Sequence, residues 1–330
     1  MINRRTSYRR MNAGISLIEM MVSMLIGTLL LIGVLAIFAE TRTTFRTTDA
    51  VSRMQENARF ALSSIEPDLR LVGSWGLHSV AGQVAVPAGV AVTCEDGADV
   101  TANVLDRTAS IGAANADYAD IVPCPAFDDD WLAGTDTMVV RHASGQPAAA
   151  TAGVVQIQSD RDQSNVFDGG VAPGADICPV PADPPLNPQV RCTYNWVSNY
   201  YYVAASSSLG DSTPSLRRMT LVNGVLTDQE LVAGVEDLQI QLGVDTDNDD
   251  TVDRYVDPDH GLVTPGDPDF VADSQVLAVR LWLMFRAEEV EQGFEDDNIY
   301  NYADVVDYEP ADQLRRSLVN KTILLRNVRG

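Results

Sequence analysis

The chain contains little basic charge and few of the motifs that carry catalysis. Its 330 residues include 46 acids against 23 basic residues, with Lys321 as the lone lysine. The net charge of −23 argues against nucleic acid or an anionic lipid surface as a partner, because both would be repelled. The sequence also lacks a nucleophile elbow, a zinc-binding helix, a phosphate loop and a dinucleotide fingerprint. We therefore expect neither an enzyme nor a contact with nucleic acid.

Histidine is scarce, and the three histidines form no pattern typical of a site. His78, His142 and His260 are scattered through stretches that look like loops. We expect them on the surface rather than as catalytic bases. The four tryptophans are expected in the core or in an interface.

Cysteine is also rare, and its spacing does not suit a metal site. The four cysteines include no C-x-x-C pair and have no companion histidines. An even number of cysteines predicts two disulfides in an oxidising compartment, and three connectivities are open. We favour Cys94 with Cys124 and Cys178 with Cys192, because each bond would close one loop-rich segment. Four free buried thiols are the alternative.

One long apolar run stands near the N-terminus. Residues 15–39 would form a helix about 37 Å long, which is enough to cross a bilayer. Four arginines and no acid precede the run within residues 1–14, whereas only Arg42 and Arg46 follow closely. This asymmetry predicts a cytoplasmic N-terminus, with the bulk of the chain across the membrane. Unlike a secretory signal peptide, the run has its small residue, Gly14, before it rather than after it.

The run contains an acid, Glu19, close to its start. At a helix centre such a group costs about 2.5–3.5 kcal/mol on insertion scales. If the chain is cut after Gly14, Ile15 becomes the N-terminus, and its amine lies one helical turn from the Glu19 carboxylate. The amine of one chain could then pair with the carboxylate of its neighbour. Such pairing in an apolar medium would fix the stagger between subunits.

The stretch "GISLIEMMVSMLIGTLLLIGVLAIF" resembles the class III signal of type IV prepilins and type II secretion pseudopilins. The resemblance implies that a prepilin peptidase cuts after Gly14 and methylates the new amine of Ile15, where the family most often has phenylalanine. It also implies that Glu19 is the acid used in assembly.

Three further stretches resemble the PilW-type minor pilins: "RMQENARFALSSIEPDLRLVGSWG", "LVAGVEDLQIQLGVD" and "RRSLVNKTILLRNVRG". The resemblance implies an inner-membrane protein with a periplasmic domain, which later enters the pilus. It also allows a position at the pilus tip. The implied partners are the prepilin peptidase/methyltransferase, other minor pilins, the major pilin, the inner-membrane assembly platform and a tip adhesin. The implied processes are pilus assembly, twitching motility and adhesion.

The predicted fold is α+β and type IV pilin-like, with a long N-terminal helix packed on an antiparallel β-sheet. Pro67 is expected to kink or end the helix near Glu66. The expected segments are a cleaved leader (1–14), a transmembrane helix (15–39), its periplasmic amphipathic continuation (40–73), a loop-rich disulfide-bearing region (74–191) and an antiparallel β domain (192–330).

The β domain shows clear strand patterns. "CTYNWVSNYYYVA" predicts one strand, and Asn223-Gly224 predicts the turn of a hairpin. "EDLQIQLGV" and "VLAVRLWLMFR" alternate as strands do, and a last strand is expected near 318–328. Upstream, short strands are expected near 137–141 and 153–157, and residues 160–191 are expected to form a long loop.

The Asp-rich stretch 245–257 has the spacing of a calcium loop. Asp245, Asp247, Asp249 and Asp253 match positions 1, 3, 5 and 9, with the Thr251 carbonyl as a further oxygen. Glycine and the bidentate glutamate of such loops are missing, and Asp257 or Asp259 could replace the glutamate. The sequence thus allows a structural calcium ion, and a solvated acidic turn is the alternative.

Three functions remain open at this point. The leading hypothesis is a PilW-type minor pilin that starts or tips the pilus. The second is a J-type minor pseudopilin of type II secretion. The third is a calcium-dependent adhesive or binding domain on an uncleaved membrane anchor.

Overall fold

The computed structural model describes residues 16–178, 190–210, 212–271 and 274–328. Gly14 and Ile15 lie outside the described residues. The chain divides into two units, of which the first ends at Ala50 and the second begins at Val51. Each unit is described separately below.

Within the described residues the chain forms one long helix, α1 (Leu17–Leu71), and one short helix, α2 (Thr101–Val104). Single 3₁₀ turns occur at Ala81–Gln83 and Pro125–Asp130. The long helix confirms the expected N-terminal element of the α+β fold.

The helix continues through Pro67 to Leu71, so the expected alternative of an end near Glu66 is wrong. A proline inside a helix costs about 3 kcal/mol, because it removes a hydrogen bond and crowds the preceding turn. Ile65 and Leu69 flank the proline and are fully buried. Burying two such side chains contributes about 1.5–3 kcal/mol each. Tertiary packing therefore offsets the local penalty.

The strands are distributed over the whole of the second unit, from Val84 onwards. They are β1 (Val84–Ala85), β2 (Thr93–Cys94), β3 (Ile111–Ala114), β4 (Thr137–Pro147), β5 (Ala152–Ser159), β6 (Ser164–Gly169), β7 (Cys192–Ala204), β8 (Ser215–Val222), β9 (Val225–Ala233), β10 (Val235–Asp245), β11 (Arg254–Val256), β12 (Gln275–Arg286), β13 (Tyr300–Tyr302), β14 (Val305–Tyr308) and β15 (Arg316–Leu324).

The larger sheet has nine strands, in the order β1-β6-β5-β7-β8-β9-β2, with β4 also paired to β7 and β3 to β4. Its pairings are antiparallel except for β1 with β6 and β2 with β9. Strands from both sides of residue 191 share this sheet, so the expected boundary between a loop-rich region and a β domain does not divide the structure. The stretch 160–191, expected as a loop, includes β6.

The two faces of this sheet are covered by different parts of the second unit. On one face, Asp68 of α1 accepts hydrogen bonds from Asn199 and Tyr201 of β7. On the other face lies the main core, where the rings of Trp75 and Trp196 stack with centroids 4.7 Å apart. Residues 75–131 thus pack behind the sheet rather than forming a separate region.

The second sheet has four strands in the order β11-β10-β12-β15. Lys321 of β15 donates to Glu66 of α1 at 2.6 Å, which ties this sheet to the same helix. The opposite face carries Trp282 and Met284, which pack against Tyr302 of the β13–β14 hairpin. The alternation expected for β12 is therefore present, with apolar cover on both faces.

The β8–β9 hairpin confirms the turn predicted from sequence. Asn223 and Gly224 connect the strands with φ values of 49° and 78°. These are the left-handed conformations that a two-residue hairpin turn requires and that Asn-Gly tolerates best.

Two disulfides join Cys94 to Cys124 and Cys178 to Cys192, with Cα atoms 5.8 Å and 4.8 Å apart. This is the connectivity favoured from the sequence. Cys94 and Cys124 are buried in the main core, and their positions are 30 residues apart in sequence, against 14 for the second pair. The first bond thus fixes the segment that covers one face of the large sheet.

Removing the first disulfide should destabilise the second unit more than removing the other. We expect a loss of about 2–5 kcal/mol for Cys94→Ala with Cys124→Ala, because the bond closes the longer loop and its removal leaves a cavity in the core. The matched control is Cys178→Ala with Cys192→Ala. Thermal unfolding of the detergent-extracted chain, followed by near-ultraviolet circular dichroism, measures both. Equal losses would contradict the prediction.

Candidate functional site

The first candidate site is the apolar part of α1 in the first unit. Each described residue from Ser16 to Arg42 is exposed, including Leu17 at 79% and Ile37 at 69%. The helix is long and apolar enough to cross a membrane by length and composition. Exposed apolar surface of this extent is unfavourable in water, so it calls for lipid or for other apolar helices around it.

Glu19 is the one charged residue in the apolar part of this helix, residues 17–39. The hydroxyls of Ser23 and Thr28 donate hydrogen bonds to the backbone carbonyls of Glu19 and Met24, four residues earlier, at 2.7 and 2.9 Å. The Glu19 carboxylate makes no hydrogen bond or ion pair with any residue that the structure describes. Its predicted partner, the amine of Ile15, lies outside the described residues. Pairing through Glu19 therefore stays a prediction.

The second candidate site is the Asp-rich loop between β10 and β11. Carboxylate oxygens of Asp245, Asp247 and Asp253 lie within 4.8 Å of one another. Asp249 is not in this group and accepts from Thr251, while Asp257, which completes the predicted set, accepts from Gln241 Nε2 at 3.0 Å.

The loop is organised by its own backbone. The buried Asp245 carboxylate accepts from the N–H groups of Asp247, Asn248 and Asp250 at 3.2, 2.7 and 2.9 Å. The neighbouring Asp249 carboxylate raises the pKa of Asp247, with smaller contributions from burial and from the Asp253 and Asp245 carboxylates. A hard cation would relieve this repulsion and suits the three carboxylates that the loop brings together.

Calcium should raise the stability of the protein if the loop binds it. With a dissociation constant near 10⁻⁴–10⁻³ M, about 10 mM Ca²⁺ should add about 1–3 kcal/mol to the free energy of unfolding. Asp247→Asn should abolish this response, whereas Asp249→Asn, outside the group, should keep it. Denaturant unfolding with calcium or with chelator measures the difference. An unchanged wild-type midpoint would identify a solvated acidic turn instead.

A third cluster, which we call the acidic junction, consists of Asp136, Asp237 and Asp304 and was not foreseen from the sequence. Asp136, just before β4, accepts from the backbone N–H groups of Ala116 and Ile240 at 3.1 and 2.8 Å. The hydrogen bond from Ile240, which lies on β10, connects the large sheet to the four-stranded sheet.

The other two carboxylates come from β10 and from the β13–β14 turn. Asp237 accepts from the Tyr302 hydroxyl at 2.6 Å and from Gln239 at 3.1 Å. Asp304 accepts from Asn115 Nδ2 at 2.9 Å. The junction thus connects both sheets and the hairpin.

Burial governs the acidity of this junction. Loss of solvation, opposed by two backbone hydrogen bonds and reinforced by the charges of Asp304 and Asp237, raises the pKa of Asp136 to about 8. Burial likewise raises the pKa of Asp237 to about 6, against hydrogen bonds from Tyr302 and Gln239. Asp136 is therefore a neutral acid near pH 7. No sequence pattern marks it, because nothing local reveals that the position is buried.

The stability of the protein should decrease as the pH rises from 6 to 8. In that window the folded protein keeps a proton on Asp136 that the unfolded chain, with a pKa of about 4, has lost. The free energy of unfolding should therefore fall by up to about 1.4 kcal/mol per pH unit. Asp237, whose pKa in the folded protein is about 6, lowers the free energy of unfolding in the same way as the pH rises below this window.

The variant Asp136→Asn should flatten this slope whatever its absolute stability, and the exposed Asp304→Asn should shift the slope to lower pH. Denaturant unfolding at several pH values measures both. An identical slope in wild type and Asp136→Asn would contradict the assignment.

His142 differs from its sequence-based expectation. It is 2% exposed on β4, not on the surface, and its Nδ1 lies 2.8 Å from the Ala143 carbonyl. Its Nε2 lies 3.6 Å from Asp68. Burial would raise the pKa of Asp68, but the nearby His142 ring and hydrogen bonds from Tyr201 and Asn199 outweigh burial and lower that pKa. Through these contacts Asp68 connects α1 to strands β4 and β7 of the large sheet.

Two family models match this chain, one near each end. Residues 9–35 match the family model described as the prokaryotic N-terminal methylation motif. Residues 200–327, from the end of β7 through β15, match the model described as type IV pilus-assembly protein W. Curated proteins and solved structures give no match to the chain.

A methylation motif, a long apolar helix and a largely antiparallel β domain define a type IV pilin-like protein. The two matches together support a PilW-type minor pilin of the type IV pilus that is processed by the prepilin peptidase. Pilin families are structural rather than enzymatic.

Proposed function

We propose that the peptidase cuts this minor pilin after Gly14, that Ile15 becomes the methylated N-terminus, and that Glu19 then directs its assembly. The observation that carries the proposal is the Glu19 carboxylate, the one charged group in the apolar part of the helix, which has no partner among the described residues. An unpaired carboxylate in an apolar medium is strongly unfavourable, whereas a neighbour's N-terminal ammonium would neutralise it.

The mature protein works in a minor-pilin complex that starts or tips the pilus. It is inserted in the inner membrane with its N-terminus in the cytoplasm and its β domain in the periplasm, and later enters the fibre. The partners are the other minor pilins, the major pilin, the assembly platform and a tip adhesin. Two disulfides support an oxidising location for the β domain. The protein itself catalyses no reaction.

The two other functions are less well supported. A J-type pseudopilin would share the N-terminal signal, but the match over residues 200–327 is to a pilus-assembly family. An uncleaved membrane anchor would leave the methylation motif without a role.

Glu19→Gln should block assembly without blocking processing. Breaking a buried ion pair costs about 3–5 kcal/mol, so surface pili in a deletion strain carrying this variant should fall to nearly the level of the deletion. Ser23→Ala, one turn away in the same helix, is the control and should restore pili. Electron microscopy counts the pili, and mass spectrometry of the membrane-extracted protein identifies the N-terminus.

The expected N-terminus is methylated Ile15 in wild type and in both variants. Normal pili with Glu19→Gln, or an intact leader on protein taken from fibres, would overturn the proposal. A deletion that leaves pili intact but stops the secretion of enzymes would instead support the pseudopilin.

A further inference from the structure

A short basic segment follows the apolar part of α1. Residues 41–48 contain Arg42 and Arg46 and no acid, in a chain whose net charge is −23. The charge of the whole chain argues against an anionic lipid surface as a partner, so this segment is a local exception. Together with two aromatic rings it forms a set that we call the basic-aromatic belt, which consists of Phe38, Arg42, Phe45 and Arg46.

The four residues of the belt share one side of the helix. Successive residues of an α-helix are about 100° apart, and these four lie within about 100° of its circumference. All four are exposed, Phe38 at 59% and Phe45 at 73%. The Arg42 guanidinium lies 5.7 Å from the centroid of the Phe38 ring. The belt therefore combines apolar ring surface with two cations on one continuous surface of the helix.

The two arginines of the belt have no acid that neutralises them. Neither makes a hydrogen bond or an ion pair with any residue that the structure describes. They stand four positions apart, where like charges on a helix repel each other. Glu40 lies about 160° around the helix from Arg42, and Asp49 makes a contact that does not involve Arg46. An anion from outside the chain would relieve the repulsion.

The position of the belt along the helix indicates which anion this is. Residues 17–39 extend about 35 Å, and the hydrocarbon core of a bilayer is about 30 Å thick. Arg42 and Arg46 lie about 5 and 10 Å beyond Ala39 along the axis, next to a headgroup layer about 5–8 Å thick. Helical side chains tilt toward the N-terminus, which here is toward the membrane. Both long side chains therefore reach the headgroups.

We propose that Arg42 and Arg46 bind the phosphates of anionic phospholipids in the leaflet at the C-terminal end of the span, and thereby fix the depth of α1 in the bilayer. Guanidinium groups bind phosphate through two parallel hydrogen bonds, and basic side chains next to a span are attracted to anionic lipid. The inference goes beyond the pairing proposed for Glu19 and does not depend on it. The lipid contacts must break when the subunit leaves the bilayer for the fibre.

The first test measures which lipids surround the helix. The full chain is reconstituted in phosphatidylcholine vesicles with a trace of spin-labelled phosphatidylglycerol or spin-labelled phosphatidylcholine. Electron paramagnetic resonance gives the ratio of the two association constants. We expect the wild type to favour phosphatidylglycerol about twofold or more, and added salt to lower this ratio.

Variants of the arginine pair separate charge from position. Arg42→Gln with Arg46→Gln should lower the ratio about twofold or more, whereas Arg42→Lys with Arg46→Lys should keep most of it, because an ammonium also binds phosphate. Arg59→Gln with Arg254→Gln, at two exposed positions of the second unit, is the matched control and should leave the ratio unchanged.

The four arginines of residues 1–14 are present in every sample, so the difference between variants is what counts. An unchanged ratio in the glutamine pair, or an equal loss in the control, would overturn the proposal. Circular dichroism checks that the variants fold.

The second test measures contact with phosphate directly. In solid-state NMR, a ¹³C label at the arginine Cζ loses signal when a ³¹P nucleus of a headgroup is close. The wild type should show this loss, and part of it should disappear in Arg42→Gln with Arg46→Gln. An identical loss in both samples would overturn the proposal. If the belt contacts no phosphate while Glu19→Gln still blocks pili, the inference fails and the proposed function stands.

Discussion

The burial of one face of α1 in the second unit is the constraint on which the β domain depends. Met54, Ala58, Ala61, Ile65 and Leu69 are buried at spacings of three and four, the pattern of a single helical stripe. Both sheets contribute to covering this stretch of helix: β7 binds Asp68, and β15 binds Glu66. Because both sheets pack on the same helix, each sheet needs that helix to cover its inner face.

This shared helix explains why the acidic junction and the disulfides lie where they do. The two sheets meet beside the helix, and Asp136 bonds across from one to the other through the Ile240 amide. On the far face of the large sheet, no second helix of comparable length exists among the described residues, so residues 75–131 supply the cover. Short strands and turns bury little apolar surface per residue, and the Cys94–Cys124 bond adds the stability they lack.

The sequence predicted those parts of the fold that depend on local patterns. The strand "CTYNWVSNYYYVA" and the Asn223-Gly224 turn are found as expected, because alternation and turn chemistry are local. The membership of β1 and β2 in the large sheet was not predictable. Each has two residues and pairs with a strand far away in sequence. That the helix passes through Pro67 was not predictable for a related reason, since the packing that outweighs the penalty of the proline is tertiary.

The candidate sites likewise fall into those that local sequence reveals and those that only the fold creates. Glu19 is evident from sequence because a membrane helix makes any charge conspicuous. The calcium spacing was evident too, yet the structure gathers three carboxylates of the predicted set and leaves Asp249 and Asp257 engaged elsewhere. Asp136 and His142 could not be assigned, because their properties come from burial between distant segments and not from their neighbours in the chain.

Glu19 and Asp136 differ in how the cost of a carboxylate away from water is met. Asp136 accepts hydrogen bonds from the backbone N–H groups of Ala116 and Ile240, and burial raises its pKa to about 8, so near pH 7 it carries no charge. Glu19 has no partner among the described residues. A carboxylate in an apolar medium has no water to bind, so pairing it with a neighbour's ammonium removes a large penalty and can drive subunits together. Glu19 therefore suits the general attraction common to all subunits of a fibre.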